Sequence, residues 1–85
     1  MRSPPHIVVD CLGRPCPVPV IELAKAVAAA DVGAVVEVVS DDPASRHDVP
    51  AWCRMRGHDY LGEHPRPVGS GYRVRVTPRE PAEAR

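Results

Sequence analysis

Phenylalanine is missing from this chain, and one Trp and two Tyr are its whole aromatic complement. That excludes an aromatic core; the interior has to be built from Val, Ala, Leu and Ile. No apolar run approaches the ~20 residues that a membrane span requires. The opening MRSPPHIVVD holds no hydrophobic segment long enough for a signal peptide. A cytoplasmic protein without a membrane partner is therefore expected. Net charge is missing too, since eleven basic side chains balance eleven acidic ones. Non-specific nucleic-acid binding draws its affinity from phosphate neutralisation, so no direct nucleic-acid partner is expected. An even cysteine count is also absent. Three cysteines in a reducing compartment indicate free thiols rather than a disulfide framework.

What is present fits one domain of 85 residues. A domain of this size buries only about 60–65% of its unfolded surface, so the core is modest. Eleven prolines cluster in the first nineteen residues, around His64–Pro67 and in the tail. The charge balance hides a polarity. Residues 1–42 carry three Lys/Arg against six Asp/Glu, and the remainder eight against five. That asymmetry is enough to orient a protein partner.

The pattern predicts six elements. His6–Cys11 is a β-rich run, and Gly13 is free to take a positive φ in the turn after it. Pro17–Ala30 reads as a helix with Val20, Leu23, Ala24, Val27 and Ala30 on its buried stripe, and Gly33 as its C-cap. Ala34–Ser40 is a valine-rich central strand, with Glu37, Val35 and Val39 on its more exposed face. That pair of valines offers a patch for a homodimer or a partner. Asp42 and Pro43 suit a helix N-cap and first residue. Pro50 argues for a short turn over Pro43–His47 and a helix restarted by Asp48, running to Arg56 and stopped by Gly57. Val49, Trp52 and Cys53 then face inward. His58–Glu63 is the third strand, HPRPVGSG a loop, and Tyr72–Thr77 the fourth strand. In that strand Tyr72, Val74 and Val76 point inward, and Arg73 and Arg75 outward. The expected fold class is α/β (α+β): a two-layer βαβαββ sandwich, with a four-stranded mixed sheet and two helices on one face. The domain spans 6–77, between a flexible 1–5 and a disordered 78–85.

GRPCPVPVIELAKAV, residues 13–27, carries the chemistry. The first amides of a helix have no internal partner, so proline is tolerated there. With Cys16 as N-cap, Pro17 is N1 and Pro19 is N3. The amides of Cys16 and Val18 then stay free and, with the helix dipole, favour an anion. Cysteines in such positions have pKa values lowered from about 8.5 to ~3.5–7.5. Arg14 adds charge stabilisation. The expected product is an exposed nucleophilic sulfur, as thiolate or persulfide. A Cys-x-x-Cys motif would place its second thiol at Pro19. Without it, sulfur on Cys16 is not promptly expelled as a disulfide, which favours holding sulfur over cycling electrons.

LGRPCPVPVIELAKAV followed by SDDPASRHDVPAWCRMRGHDYL resembles the TusA/SirA-type sulfur-carrier family. The resemblance rests on Cys16-Pro17-Val18-Pro19 at the helix start, Gly13 before it and Asp10 ending strand one. Asp41-Asp42-Pro43, Asp48-Val49-Pro50, Trp52-Cys53 and Gly57-His58 follow in order. It implies the same βαβαββ sandwich. It also implies that Cys16 accepts sulfane sulfur from a cysteine desulfurase or rhodanese-like donor, carries it as a persulfide and passes it to an acceptor protein. Such relays serve tRNA thiolation, molybdoenzyme maturation or sulfur oxidation. Members near the tRNA branch carry a more basic first helix than this one, with its single Lys25. Pro15 departs from the family's usual basic or polar residue before the cysteine. The implied activity is that of a sulfurtransferase with no turnover apart from its partners. No cofactor is implied.

Bland readings stand beside these. Cys16 is also explicable as a small residue at a tight turn. Cys53 reads as a core residue. Cys11 reads as structural, or as a secondary thiol able to attack a Cys16 persulfide. Cys11-x4-Cys16 and Cys53-x4-His58 are looser than usual zinc spacings, and no metal is expected. Asp41 and Asp42 read as turn formers or as a partner-docking spot near Cys16. None of the four histidines is placed as a base for the thiol. The rival functions are an interaction or regulatory module with an incidental cysteine, and a Cys11/Cys16 redox protein. A monomer or weak homodimer is expected.

Overall fold

The computed structural model describes residues 5–78. Its elements are β1 (His6–Asp10), α1 (Val18–Ala29), β2 (Val35–Ser40), α2 (Ser45–Arg56), β3 (Asp59–Pro65) and β4 (Ser70–Arg75). This is the expected βαβαββ order. The sheet runs β1-β2-β4-β3. β1 and β2 are parallel, joined through α1 as a crossover requires; β4 is antiparallel to both β2 and β3. The flexible ends expected at 1–5 and 78–85 fall outside the described residues, save Pro5 and Pro78. The Pro5 carbonyl accepts the Val35 amide at 2.9 Å.

One face of the sheet carries the core. Val36 and Val38 of β2, Tyr72 and Val74 of β4 and the following Val76 pack with Leu23 and Val27 of α1 and Val49, Trp52 and Cys53 of α2. The inward positions read from strand-four alternation and from α2 are these. Trp52 stacks on His58, with ring centroids 5.5 Å apart. Burial pushes the Cys53 thiol up to about 11, with Asp59 adding to it and Arg54 opposing it. A thiol whose pKa is raised in the fold contributes stability that is complete below its unfolded value of about 8.5 and is lost as pH rises through the folded value. Urea unfolding of the natural protein should therefore lose about 3 kcal/mol between roughly pH 8.5 and 11 from this group, a loss that Cys53→Ala removes. Equal alkaline losses in both proteins would contradict the assignment.

Several local expectations are corrected. α2 is one helix through Pro50, not a turn and a restart at Asp48. Its first turn is anchored upstream: Ser45, Arg46 and His47 donate to the carbonyls of Asp42, Pro43 and Ala44 at 3.0–3.2 Å. The helix is thus nucleated before the proline, which removes only one later bond. Gly57 ends it in the left-handed region, as expected, at φ 81°. α1 ends at Ala29 with Ala30 as its C-cap, and Gly33 lies in the turn beyond. β3 and β4 extend into the expected loop, leaving 66–69 as the connection, closed by Arg66 N–H donating to the Gly69 carbonyl at 3.2 Å.

The largest correction concerns Glu37. It lies on the face away from the helices, yet only 1% of it is exposed. His6 Nε2, Arg66 Nε and Arg73 Nε each sit 3.0 Å from its carboxylate oxygens. Arg73 is therefore a partner of Glu37, and only Arg75 is the solvated arginine that strand alternation indicates. Burial raises the Glu37 carboxyl, but the hydrogen bonds from Arg66, Arg73 and His6 prevail and hold it below the usual range. Val39 is buried and Val35 half-buried, so the expected valine patch is not open. The exposed apolar side chains at that face are Val8, Leu12 and Val68.

Candidate functional site

Cys16 sits in the loop between β1 and α1, one residue further out than expected. Pro17 is the N-cap and Pro19 the second helical residue. Gly13 takes its positive φ, 78°, in the same loop, and the Cys16–Pro17 peptide is cis. The loop is tied to the β2–α2 connection by two carboxylates. Asp41 accepts the Gly13 amide at 3.1 Å, and Asp42 Oδ2 accepts the Cys16 amide at 2.8 Å. Asp42 Oδ1 accepts from Ala44 at 2.9 Å, which shapes the start of α2. The Asp41 and Asp42 carboxylates, expected as turn formers or docking groups, thus clamp one loop to another. The Val18 amide donates to the Pro15 carbonyl at 3.0 Å. Neither amide expected to face an anion is free to do so.

The sulfur completes a ring of hydrogen bonds. Cys16 Sγ lies 3.4 Å from Ser45 Oγ, and Ser45 Oγ lies 2.8 Å from Ser40 Oγ. Ser40 Oγ accepts the Asp42 amide at 3.1 Å, and Asp42 accepts the Cys16 amide. Four residues from the β1–α1 loop, the end of β2, the connection and the first position of α2 therefore hold one another. Sequence reading missed Ser40 and Ser45. The available signal was a serine on each side of DDPA, where both look like ordinary turn residues.

The three thiols differ in access. Cys11 is fully buried, Cys53 is 1% exposed, and Cys16 is intermediate. Burial pushes the Cys16 thiol up; Ser45 opposes this, and Asp48 and Asp42 add to it. The lowered pKa expected from the helix start is therefore not what the site produces. The donors that would lower it are occupied, and two carboxylates border the sulfur. The Arg14 charge is felt at Cys11, where it opposes a rise caused mainly by burial. Pro17 and Pro19 flank Val18 at the helix mouth, Pro19 buried and Pro17 exposed. Recesses open around the site, one lined by Gly13, Arg14, Pro15, Asp41, Asp42 and Pro43, another by Pro17, Val20, Asp48, Ala51, Trp52 and Met55. Among the described residues no three His, Cys, Asp or Glu side chains converge as metal ligands, and no helix is long and apolar enough to cross a membrane.

Because a carboxylate opposes thiolate formation, Asp48→Asn should move the Cys16 alkylation profile to lower pH and speed iodoacetamide labelling at pH 7 by about twofold. An unmoved profile would remove Asp48 from the site's electrostatics.

Comparison with known proteins finds relatives of this chain. A Pseudomonas entomophila protein, sulfur carrier protein TusA, is 40% identical over 55 residues, covering 65% of this chain and 69% of the relative. An Archaeoglobus fulgidus protein whose name carries the words sulfur carrier protein is 43% identical over 55 residues, covering 65% and 75%. The crystal structure of a SirA-like protein from Desulfitobacterium hafniense superposes with a TM-score of 0.69 at 31% identity, covering 82% of this chain and 95% of that one. The family described as Sulfurtransferase TusA matches residues 7–77. With that match across the whole sandwich and the clamped cysteine loop at its centre, the chain belongs to the TusA sulfurtransferase family.

Proposed function

We propose that this protein carries sulfane sulfur on Cys16 between a donor protein and an acceptor protein. The observation that carries the reading is access: of the three thiols, only Cys16 is not buried, and it stands just before α1, its neighbours Pro15 and Pro17 each lining a separate recess. In the loading step the Cys16 thiolate attacks the outer sulfur of a donor persulfide. A new S–S bond forms on Cys16 and the donor's S–S bond breaks. The donor cysteine leaves as a thiolate, so no external oxidant or reductant is needed. The carried sulfur is bonded to Sγ at about 2.05 Å. The acceptor's thiolate repeats the exchange. Donors of the required chemistry are cysteine desulfurases and rhodanese-like proteins, and no cofactor enters.

Pro17 and Pro19 stiffen the helix start, Asp42 fixes the Cys16 backbone, and Asp41 holds Gly13. Arg14 and the rim of Asp41 and Asp42 offer mixed charge to an approaching partner. α1 carries one lysine and no arginine, which favours protein partners over direct contact with RNA. Relay to tRNA thiolation, molybdoenzyme maturation or sulfur oxidation then depends on the acceptor.

Incubation with a cysteine desulfurase and cysteine tests the reading by intact mass. A gain of one sulfur, about 32 mass units, reversed by dithiothreitol and absent in Cys16→Ser, is expected. A loss of two hydrogens linking Cys11 to Cys16 would point to the redox reading. No change with several donors would point to an interaction module.

A further inference from the structure

The serine pair beneath Cys16 is more than packing. Ser45 is fully buried as the first residue of α2, and Ser40 is 1% exposed at the end of β2. A buried hydroxyl requires a partner for its proton and one for its lone pairs. The Asp42 amide occupies one lone pair of Ser40. The Ser40–Ser45 bond of 2.8 Å and the Ser45–Cys16 contact of 3.4 Å both run between groups that donate and accept. Such a chain has two senses. With a thiol, S–H donates to Ser45, in competition with the Asp48 carboxylate, and Ser45 donates to Ser40, whose own proton then lacks an acceptor among these bonds. With a thiolate, both hydroxyls rotate, Ser40 donates to Ser45, and Ser45 donates to sulfur. Neither sense moves a heavy atom.

We propose that Ser45, held in place by Ser40, is the reversible hydrogen-bond donor that lets Cys16 become a thiolate for sulfur transfer. Ser45 touches the reacting sulfur; Ser40 acts through it as a positioning residue. The need for such a donor follows from the surroundings. The titratable and charged groups about Cys16 are Arg14 on its own loop, Cys11 after β1, Asp42 in the connection, Asp48 on α2 and Tyr72 on β4. Asp42 and Asp48 oppose negative charge on the sulfur, and the Cys16 and Val18 amides are occupied. Ser45 is the group at the sulfur that favours the anion. A hydrogen bond to a charged acceptor is roughly twice as strong as a neutral one, so its loss falls mainly on the thiolate.

The experiment is the pH profile of Cys16 alkylation by iodoacetamide, read at the Cys16 peptide by mass spectrometry, with thermal unfolding followed in parallel. Ser45→Ala should raise the inflection by about one pH unit. The rate at pH 7 should fall only about threefold, because the more basic thiolate is also the better nucleophile. Ser45→Thr keeps the hydroxyl and should restore the natural inflection. Ser40→Ala leaves Ser45 unanchored and should raise the inflection by a smaller amount. If Ser45→Thr fails to fold, the Ser45→Ala and Ser40→Ala pair decides alone. A Ser45→Ala inflection equal to the natural one overturns the proposal, as does a uniform loss of rate at every pH. The proposal rests on Cys16 being the working sulfur, yet alkylation needs no donor. A natural protein that takes no sulfur would defeat the carrier reading while leaving the Ser45 profile to be judged on its own.

Discussion

Gly71→Ala should destabilise the natural protein by about 1–3 kcal/mol, and the same substitution should be neutral or slightly stabilising in a Glu37→Ala background. Gly71 sits in β4 beside Glu37 on the sheet face away from the helices. A Cβ placed on it meets Glu37 Oε2 at 1.8 Å, Cδ at 2.6 Å and Cγ at 2.9 Å. Its three nearest obstacles therefore belong to one side chain. A free glutamate would swing aside at little cost. This one is held by His6, Arg66 and Arg73, each at 3.0 Å, so any displacement strains three ion pairs. Once Glu37 is truncated the obstacle is gone. What remains is the ordinary preference for Ala over Gly inside a strand, about 0.5–1 kcal/mol in favour of Ala. A double-mutant cycle measured by urea unfolding reads the difference as a coupling of about 2 kcal/mol. Additive effects would show that the carboxylate is not pinned as described.

The same cluster fixes the response to acid. A carboxyl held below its unfolded value contributes stability that is present above about pH 4.3 and is lost as pH falls through the folded value. The Glu37 contribution should therefore vanish on the acid side, and Glu37→Gln should flatten that limb. Arg66 and Arg73 are each about a third exposed, at 36%, so they regain water when the carboxylate is removed. This keeps the penalty below that of a fully buried pair.

The architecture was legible because its signals are local. Alternation in YRVRV put Tyr72, Val74 and Val76 on one face, and Gly57 marked the end of α2. Glu37 was not legible. Period-two alternation assigns it to the outer face, which is correct, but its burial depends on Arg66 in a loop 29 residues away and on the absence of a side chain at Gly71. The cysteine loop failed in the same manner. Cys-Pro-Val-Pro suits a helix that starts at Pro17 or one residue later, and the choice rests with Asp42, whose carboxylate takes the Cys16 amide from 26 residues away. Pro50 misled because its cost was weighed without the upstream carbonyls that nucleate α2. The motif singled out Cys16, but neither its exact place before the helix nor the electrostatics around it were legible, since the latter arise from Asp42, Ser45 and Asp48 brought in by the second crossover.

Cys16→Ser should abolish sulfur uptake, whereas Cys53→Ala should leave it intact. Cys53 is sealed between α2 and the sheet, and its thiol is held at about 11, so at neutral pH it is both inaccessible and un-ionised. Cys11 is fully buried and its thiol is likewise raised. Selectivity for Cys16 is therefore expected to come from access more than from acidity, because the Cys16 thiol is raised as well. The most direct measurement is to load the natural protein from a desulfurase, trap it with an alkylating agent and locate the added sulfur by peptide mass. One extra sulfur is expected on the peptide bearing Cys16 and none on those bearing Cys11 or Cys53. Sulfur found on either buried cysteine, or uptake that persists in Cys16→Ser, would contradict this expectation.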